Sequence, residues 1–302
     1  MNKINVFLLF VCFALSSVNP HLASAGEGKK IKVLTSFLPI YIFTLNVVGA
    51  SDRVEVDCLI PGESGPHDYQ MRPSDMRKVA HADFMIINGL GVEEFISDII
   101  AVKKRKGAVL ESASGLPLLH AGEEGDDHDH HGDHNPHTWV SPRMAAMQVI
   151  NISKFLALID PAGADLYMAN GERYAGRLHL LNEEIKSVVA GLPDKRIITV
   201  HNAFDYLARD TGLEVLSVIY HTPGEQPSAA EMGGITTLIR KEKVKAIFSE
   251  PQFSDKMVNL IAKETGARVG MLDPVATGEP SEWFYEVSMR KNRDVLKEIL
   301  SQ

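Results

Sequence analysis

The sequence predicts an α/β protein of two lobes, each with a parallel sheet core, joined by one long rigid helix with a cleft between the lobes. Three observations carry this. β-rich runs alternate with helical ones, the pattern of a parallel sheet covered by crossover helices. The alternation comes in two sets, one over 31–110 and one from 196 to 300. Between them, Tyr174, Leu178, Leu181, Ile185 and Val188 recur at steps of three and four, which makes one apolar helical stripe.

In the first set, 31–35 reads as a strand, 39–48 as a helix and 54–60 as a β-rich strand. Pro73-Ser74-Asp75 opens a short helix to Val79, 84–87 is a buried strand, 92–102 an amphipathic helix and 109–110 the end of a short strand. The long helix starts at Asp160-Pro161, an acid at the cap with proline first inside, and stops at Gly191-Leu192-Pro193. Over 161–190 it would run about 45 Å at 1.5 Å per residue, a strut between lobes. In the second set, strands are expected at 197–200, 215–219, 246–249 and 267–272, and helices at 203–209, 232–240, 255–265 and 282–300.

The composition narrows the function. The 302 residues are 45% hydrophobic and 23% charged, ordinary for a globular chain, and the net charge is -8. An acidic chain is poorly suited to a phosphate backbone, so nucleic acid is excluded as a partner. The first residues read as an address: Lys3, the apolar run 6–18, then Ala23-Ser24-Ala25. The run is shorter than the about 20 residues needed to span a bilayer, so it reads as a secretory signal peptide (1–25) cleaved after Ala25. The destination is periplasmic. The expected organisation is then an N-terminal lobe over 26–159, a linking helix over 160–192 and a C-terminal lobe over 193–302. Of the two cysteines only Cys58 lies beyond the leader, so no internal disulfide is expected.

Twelve histidines is the unusual count. Five of them, His120, His128, His130, His131 and His134, fall within 120–134 together with six acids and three glycines. Such a tract cannot pack a core and is expected to form a loop that collects divalent cations at low affinity. Three others lie where strands end: His67 after the strand 54–60 and the turn 61–66, His137 after Asn135-Pro136, and His201 directly after 197–200. Asp273 follows 267–272 in the same way. In open parallel sheets, ligands bind beyond the carboxyl ends of strands, so four such termini can meet between the lobes. Three imidazoles and a carboxylate make a complete shell for zinc, and manganese accepts a mixed set with more oxygen. The spacings match no short zinc-finger pattern, and each histidine alone is a weak signal.

Several segments resemble the metal-binding solute-binding proteins of ABC importers, the periplasmic zinc and manganese receptors. They are Pro66-His67-Asp68-Tyr69 with Arg72-Pro73-Ser74-Asp75, Asn88-Gly89-Leu90-Gly91-Val92-Glu93, Asn135-Pro136-His137-Thr138-Trp139, His201-Asn202-Ala203-Phe204-Asp205-Tyr206, Ser249-Glu250-Pro251 and Leu272-Asp273-Pro274. The resemblance covers nearly all of the chain beyond the leader. It implies His67, His137, His201 and Asp273 as ligands, a membrane permease as partner, a monomer, and zinc as cargo, because histidine rather than a carboxylate stands at the third position. Manganese, or both metals, is the alternative cargo. Three residues are candidates for supporting the ligands: Glu63, Asn135 and Glu250. The chain departs from the pattern at Pro66, where some zinc receptors carry glutamate, and at Asn135, where aspartate is usual. A secreted zinc hydrolase built on the same histidines is the rival reading; it lacks an HExxH helix or a nucleophile motif. A zinc buffer or adhesin with the loop as main site is a third.

Overall fold

A computed structural model describes residues 29–301 apart from 61, 68, 105, 121–133 and 221–226. The expected leader, and His128, His130 and His131 of the loop, lie outside the described residues.

The first lobe is built on β1 (Ile31–Thr35), β2 (Val54–Cys58), β3 (Phe84–Ile87) and β4 (Val109–Glu111), all parallel in the order β2-β1-β3-β4. Helices α1 (Leu38–Val48), α2 (Pro73–His81) and α3 (Ser97–Lys104) connect them. α1 buries residues on nearly every side, Leu38, Ile40, Ile42, Phe43, Val47 and Val48 among them, because it lies between the sheet and the helices joining the lobes.

Those joining helices are α4 (Pro142–Ile159) and α5 (Ala164–Ala190). The sequence reading assigns no helix to α4, although its start is marked: Ser141 Oγ accepts the Met144 N–H, and Pro142 is the first helical residue. α5 is 27 residues long, about 40 Å. It is not a free strut. Tyr167, Tyr174, Leu178, Leu181, Ile185 and Val189 are buried along it, and it packs on α4 and α1 from the first lobe and on α6 (Asp205–Thr211) and α9 (Phe284–Leu300) from the second.

The second lobe repeats the first. β5 (Arg196–Thr199), β6 (Glu214–Val218), β7 (Ala246–Ser249) and β8 (Arg268–Met271) are parallel in the order β6-β5-β7-β8, with α7 (Ala229–Glu242) and α8 (Asp255–Thr265) as further connections. α7 begins with a capping box in which Ser228 and Glu231 each accept the other's backbone N–H. One continuous apolar cluster crosses from Phe43 of α1 through Tyr174 of α5 to Tyr285 of α9. The Phe43 and Tyr285 rings meet edge to face at 5.0 Å. The lobes therefore share a core at their base. Among the described residues, no helix is long and apolar enough to cross a membrane.

The expected helix over 92–102 begins late, with a single 3-10 turn at Glu94–Ile96 before α3. Glu93 explains this. Its side chain folds back, and its two oxygens accept the Asn88 and Gly89 N–H groups at 2.8 and 3.0 Å. The turn needs positive φ at Gly89, Leu90 and Gly91 in succession, which glycine supplies without strain at two of the three. Glu93 is buried, and burial pushes its carboxyl up to about 7 despite those two donors. A raised folded-state pKa means the native state holds the extra proton between about 4.5 and 7, so stability is lost as pH rises through that window. Glu93→Gln should remove this slope. The unfolding free energy of metal-free wild type minus that of the variant should fall between pH 4.5 and 7, by on the order of 3 kcal/mol, as denaturant melts would read. A pH-independent difference would show that Glu93 does not titrate there.

Candidate metal centre

His67, His137 and His201 arrive by three routes. His201 comes two residues after the end of β5, at the point where the second sheet's strand order reverses, between β5 and β7. His67 sits on an arm between β2 and α2. The arm is anchored at its far end, where Asp75 accepts both the Tyr69 hydroxyl and the Arg72 N–H at 2.7 Å. That geometry accounts for the His67–Asp75 motif: the acid caps α2 and fixes the turn that delivers the histidine. His137 follows no strand directly. It stands between the His-rich loop and α4, in a segment both lobes hold: Pro136 O accepts from Asn88 Nδ2 on one side, and Asn135 O accepts from the Tyr206 hydroxyl on the other.

One donor atom from each of His67, His137 and His201 lies within 4.8 Å of the others. The Nε2 atoms of His67 and His137 are 3.1 Å apart. Two imidazole nitrogens on one tetrahedral ion at 2.0–2.1 Å would sit about 3.3 Å apart, so this pair has the spacing of ligands. The ring centroids of His137 and His201 are 5.0 Å apart and those of His67 and His201 are 6.2 Å apart.

The other ring nitrogens of His137 and His201 are committed. Asn135 Oδ1 accepts from His137 Nδ1 at 2.9 Å. Glu250 Oε1, at the end of β7, accepts from His201 Nδ1 at 2.6 Å. An amide oxygen can only accept, so the His137 proton stays on Nδ1 and the Nε2 lone pair faces the centre. Burial, with His201 and His67 as neighbours, holds His137 well below the usual imidazole pKa. It is therefore neutral, the form that ligates. Glu250 is fully buried and its pKa is raised by that burial.

The departure at Asn135 has a structural reason. Its Nδ2 donates to Asn202 O at 2.7 Å and to Asp205 Oδ2 at 2.9 Å. An aspartate here would set a second carboxylate against Asp205. The sequence reading missed Asp205 and Tyr206 as neighbours of the site, although both stand in the motif that follows His201. It also missed Phe253, whose ring lies 5.3 Å from that of His201. Trp139 lies 5.2 Å from the His137 ring, and its Nε1 donates across the lobes to Pro274 O.

The other expected site residues are placed differently. Asp273 is half-buried at the end of β8, outside the three-histidine group; its Oδ1 accepts the Val275 N–H at 2.7 Å. Glu63 is exposed and also outside the group. His120 and His134 face each other in an antiparallel bridge, ring centroids 4.8 Å apart, at the neck of the His-rich loop. His81 caps its own helix turn at Arg77 O, and His179 is exposed on α5. His221 lies outside the described residues.

Three imidazole donors, two of them buried and oriented through Nδ1 by a partner, make a group of the kind that can hold a borderline divalent cation. The family described as zinc-uptake complex component A, periplasmic, matches residues 33–299, which include all three histidines, the helices joining the lobes and strands β2 to β8. The chain belongs to this family. It is 30% identical to the high-affinity zinc uptake system protein ZnuA of Bacillus subtilis (strain 168), over 98% of this chain and 97% of that one. It is 29% identical to the zinc-binding lipoprotein AdcA of Streptococcus pneumoniae serotype 4 and spans 62% of that longer protein. Among solved structures, the solute-binding protein FpvC of Pseudomonas aeruginosa in complex with Mn2+ is 32% identical, with a TM-score of 0.78 over 90% of this chain and 98% of that one.

Proposed function

We propose that the chain captures Zn2+ outside the cytoplasm, after removal of its leader behind Ala25, and delivers it to the permease of an ABC-type metal importer. The observation that carries this is the convergence of His67, His137 and His201, from both lobes, on one point. The relatives named for zinc uptake and zinc binding support the choice of metal. So does the donor set, since three imidazoles suit zinc better than manganese, which favours oxygen. Manganese remains the second reading because a relative of similar fold is seen with Mn2+. A monomer suffices, because one chain supplies every ligand.

The test is titration of the metal-free protein with zinc and manganese in competition. One tight equivalent of zinc, not displaced by manganese, is the expected result. Preference for manganese, or zinc-dependent turnover of ester or peptide substrates, would overturn the reading. Removing 120–134 should leave the tight equivalent and abolish only weaker ones, because His67, His137 and His201 all stand outside that stretch of sequence.

Asp273 is the proposed fourth ligand, and it must move to serve, since no oxygen of it lies within 4.8 Å of all three imidazole donors. Asp273→Ala should therefore weaken zinc binding less than loss of any of the three histidines. Glu250→Gln keeps an acceptor for His201 Nδ1 but removes the charge that makes the ring a better donor. Isothermal titration should show affinity about tenfold lower, at the bottom of the range for residues that orient a ligand.

A further inference from the structure

The three histidines differ in burial. His137 and His201 are 3% and 5% exposed, and each ring is fixed through Nδ1. They form a floor built into the seam between the lobes. The seam itself is tied by Asn135 to Asn202 and Asp205, by the Tyr285 hydroxyl to Trp139 O, and by Ser141 to Asp210. His67 is exposed and comes from the arm 59–72. Lobes joined by that seam and a common core do not part easily, so the part of the site able to yield is the arm.

The arm crosses to the second lobe at a contact between two glycines. The Gly278 N–H donates to Gly62 O at 2.7 Å. The approach is closer than any side chain permits. A Cβ on Gly62 would lie 2.1 Å from the Gly278 carbonyl oxygen, and one on Gly278 would lie 2.0 Å from the Phe284 ring. Gly278 also has φ +139°, a conformation that glycine alone adopts readily. Its side of the contact is rigid. Asn292 of α9 brackets Asp273, accepting its N–H and donating to its carbonyl, and Trp139 holds Pro274. Gln252 donates to the Thr277 hydroxyl.

We propose that the Gly62–Gly278 contact is a clasp that keeps the His67 arm closed over the His137–His201 floor, and that its strength sets the rate at which the metal leaves. Gly62 and Gly278 are thus positioning residues, acting through His67. This rests on the zinc reading above. Opening the arm withdraws one ligand and exposes the metal while the floor and the seam stay in place, so release needs no separation of the lobes.

The test is Gly62→Ala, with zinc release followed by chelator competition. Gly62 is not at positive φ, so alanine is tolerated by its own backbone and acts only by pushing Gly278 away. Release should quicken by about tenfold, the scale of one lost hydrogen bond with its packing. In a His67→Ala background the same change should add nothing, because the clasp acts only through that ligand. Gly65→Ala, on the same arm with nothing within 4 Å of its added carbon, should leave release unchanged. Amide exchange at Gly278 in metal-free protein should be faster in Gly62→Ala, which reads the clasp without metal. Tight zinc with an unchanged release rate in Gly62→Ala, or equal quickening in Gly65→Ala or in the His67→Ala background, overturns the clasp alone. Absence of a tight zinc site in the unaltered protein overturns the metal reading and the clasp's role with it.

Discussion

His201→Ala should weaken zinc binding by more than a hundredfold and also destabilise the metal-free protein. The first effect is loss of a proposed ligand, which should exceed the about 10–100-fold typical of residues that merely support one. The second comes from Glu250. Its Oε1 accepts from His201 Nδ1, its Oε2 has no hydrogen-bond partner, and the residue is fully buried. Without the imidazole, the carboxylate keeps only the backbone N–H of residue 201 as a donor. An unpaired buried charge costs about 3–5 kcal/mol, or the group takes up a proton instead. Burial already raises the Glu250 pKa, so the variant's folded state should gain a proton that its unfolded state lacks. Its stability deficit should then be largest near pH 8 and shrink as pH falls and Glu250 protonates. Thermal melts of metal-free wild type and variant across pH 5–8 check this. A deficit that is constant with pH would mean that Glu250 is satisfied in some other way. His81→Ala, on an exposed helix residue bonded only within its own turn, is the control and should change neither quantity.

Asn135→Asp should be costly although the two residues differ by one group, and Asp205→Asn should repair it. Asn135 is 1% exposed and uses both ends of its amide. The oxygen accepts from the His137 backbone N–H and from His137 Nδ1. The nitrogen donates to Asn202 O and Asp205 Oδ2. An aspartate can do the first task but not the second, and it would bring two carboxylates to about 2.9 Å. One of them would have to take up a proton, and burial already raises the Asp205 pKa. Because Asp205 is only half-buried, the loss should be about 2–3 kcal/mol rather than the full cost of an enclosed charge. The double variant Asn135→Asp with Asp205→Asn restores one acid and one amide across the same contact. Its melting temperature should return most of the way to wild type at pH 7.5. If the double variant is as unstable as the single one, the contact is not what selects asparagine here.

The central strands β3, β5 and β7 were legible because each is a short β-rich run buried on both faces, which needs no knowledge of its neighbours. β3 and β7 fall where the sequence places them, as do the ends of α8. Helix α4 was not legible by alternation, since it follows the His-rich loop rather than a strand, although Ser141-Pro142 marks its start. The late start of α3 was hidden because it depends on Glu93 bonding backwards to Asn88 and Gly89, a tertiary choice between two uses of one carboxylate. At the site, the three histidines and the supporting candidates Asn135 and Glu250 were all visible as polar residues beside motif prolines or strand ends. Their unequal roles were not.

By itself the sequence determined the chemistry available to this protein: imidazoles in three motifs 70 and 64 residues apart, two α/β repeats to carry them, and membership of a zinc-uptake family over 33–299. Donor type and local periodicity are properties of the residues and survive without a fold. Only the tertiary structure decided which donors meet. It brought three histidines together, left Asp273 and Glu63 outside their group, turned Asn135 into a bridge between His137 and Asp205, and let two glycines five and 211 residues from His67 close the arm that bears it. The reason is that ligation and latching depend on distances of a few ångströms between segments far apart in the chain, and these are fixed by packing across the seam rather than by any local pattern.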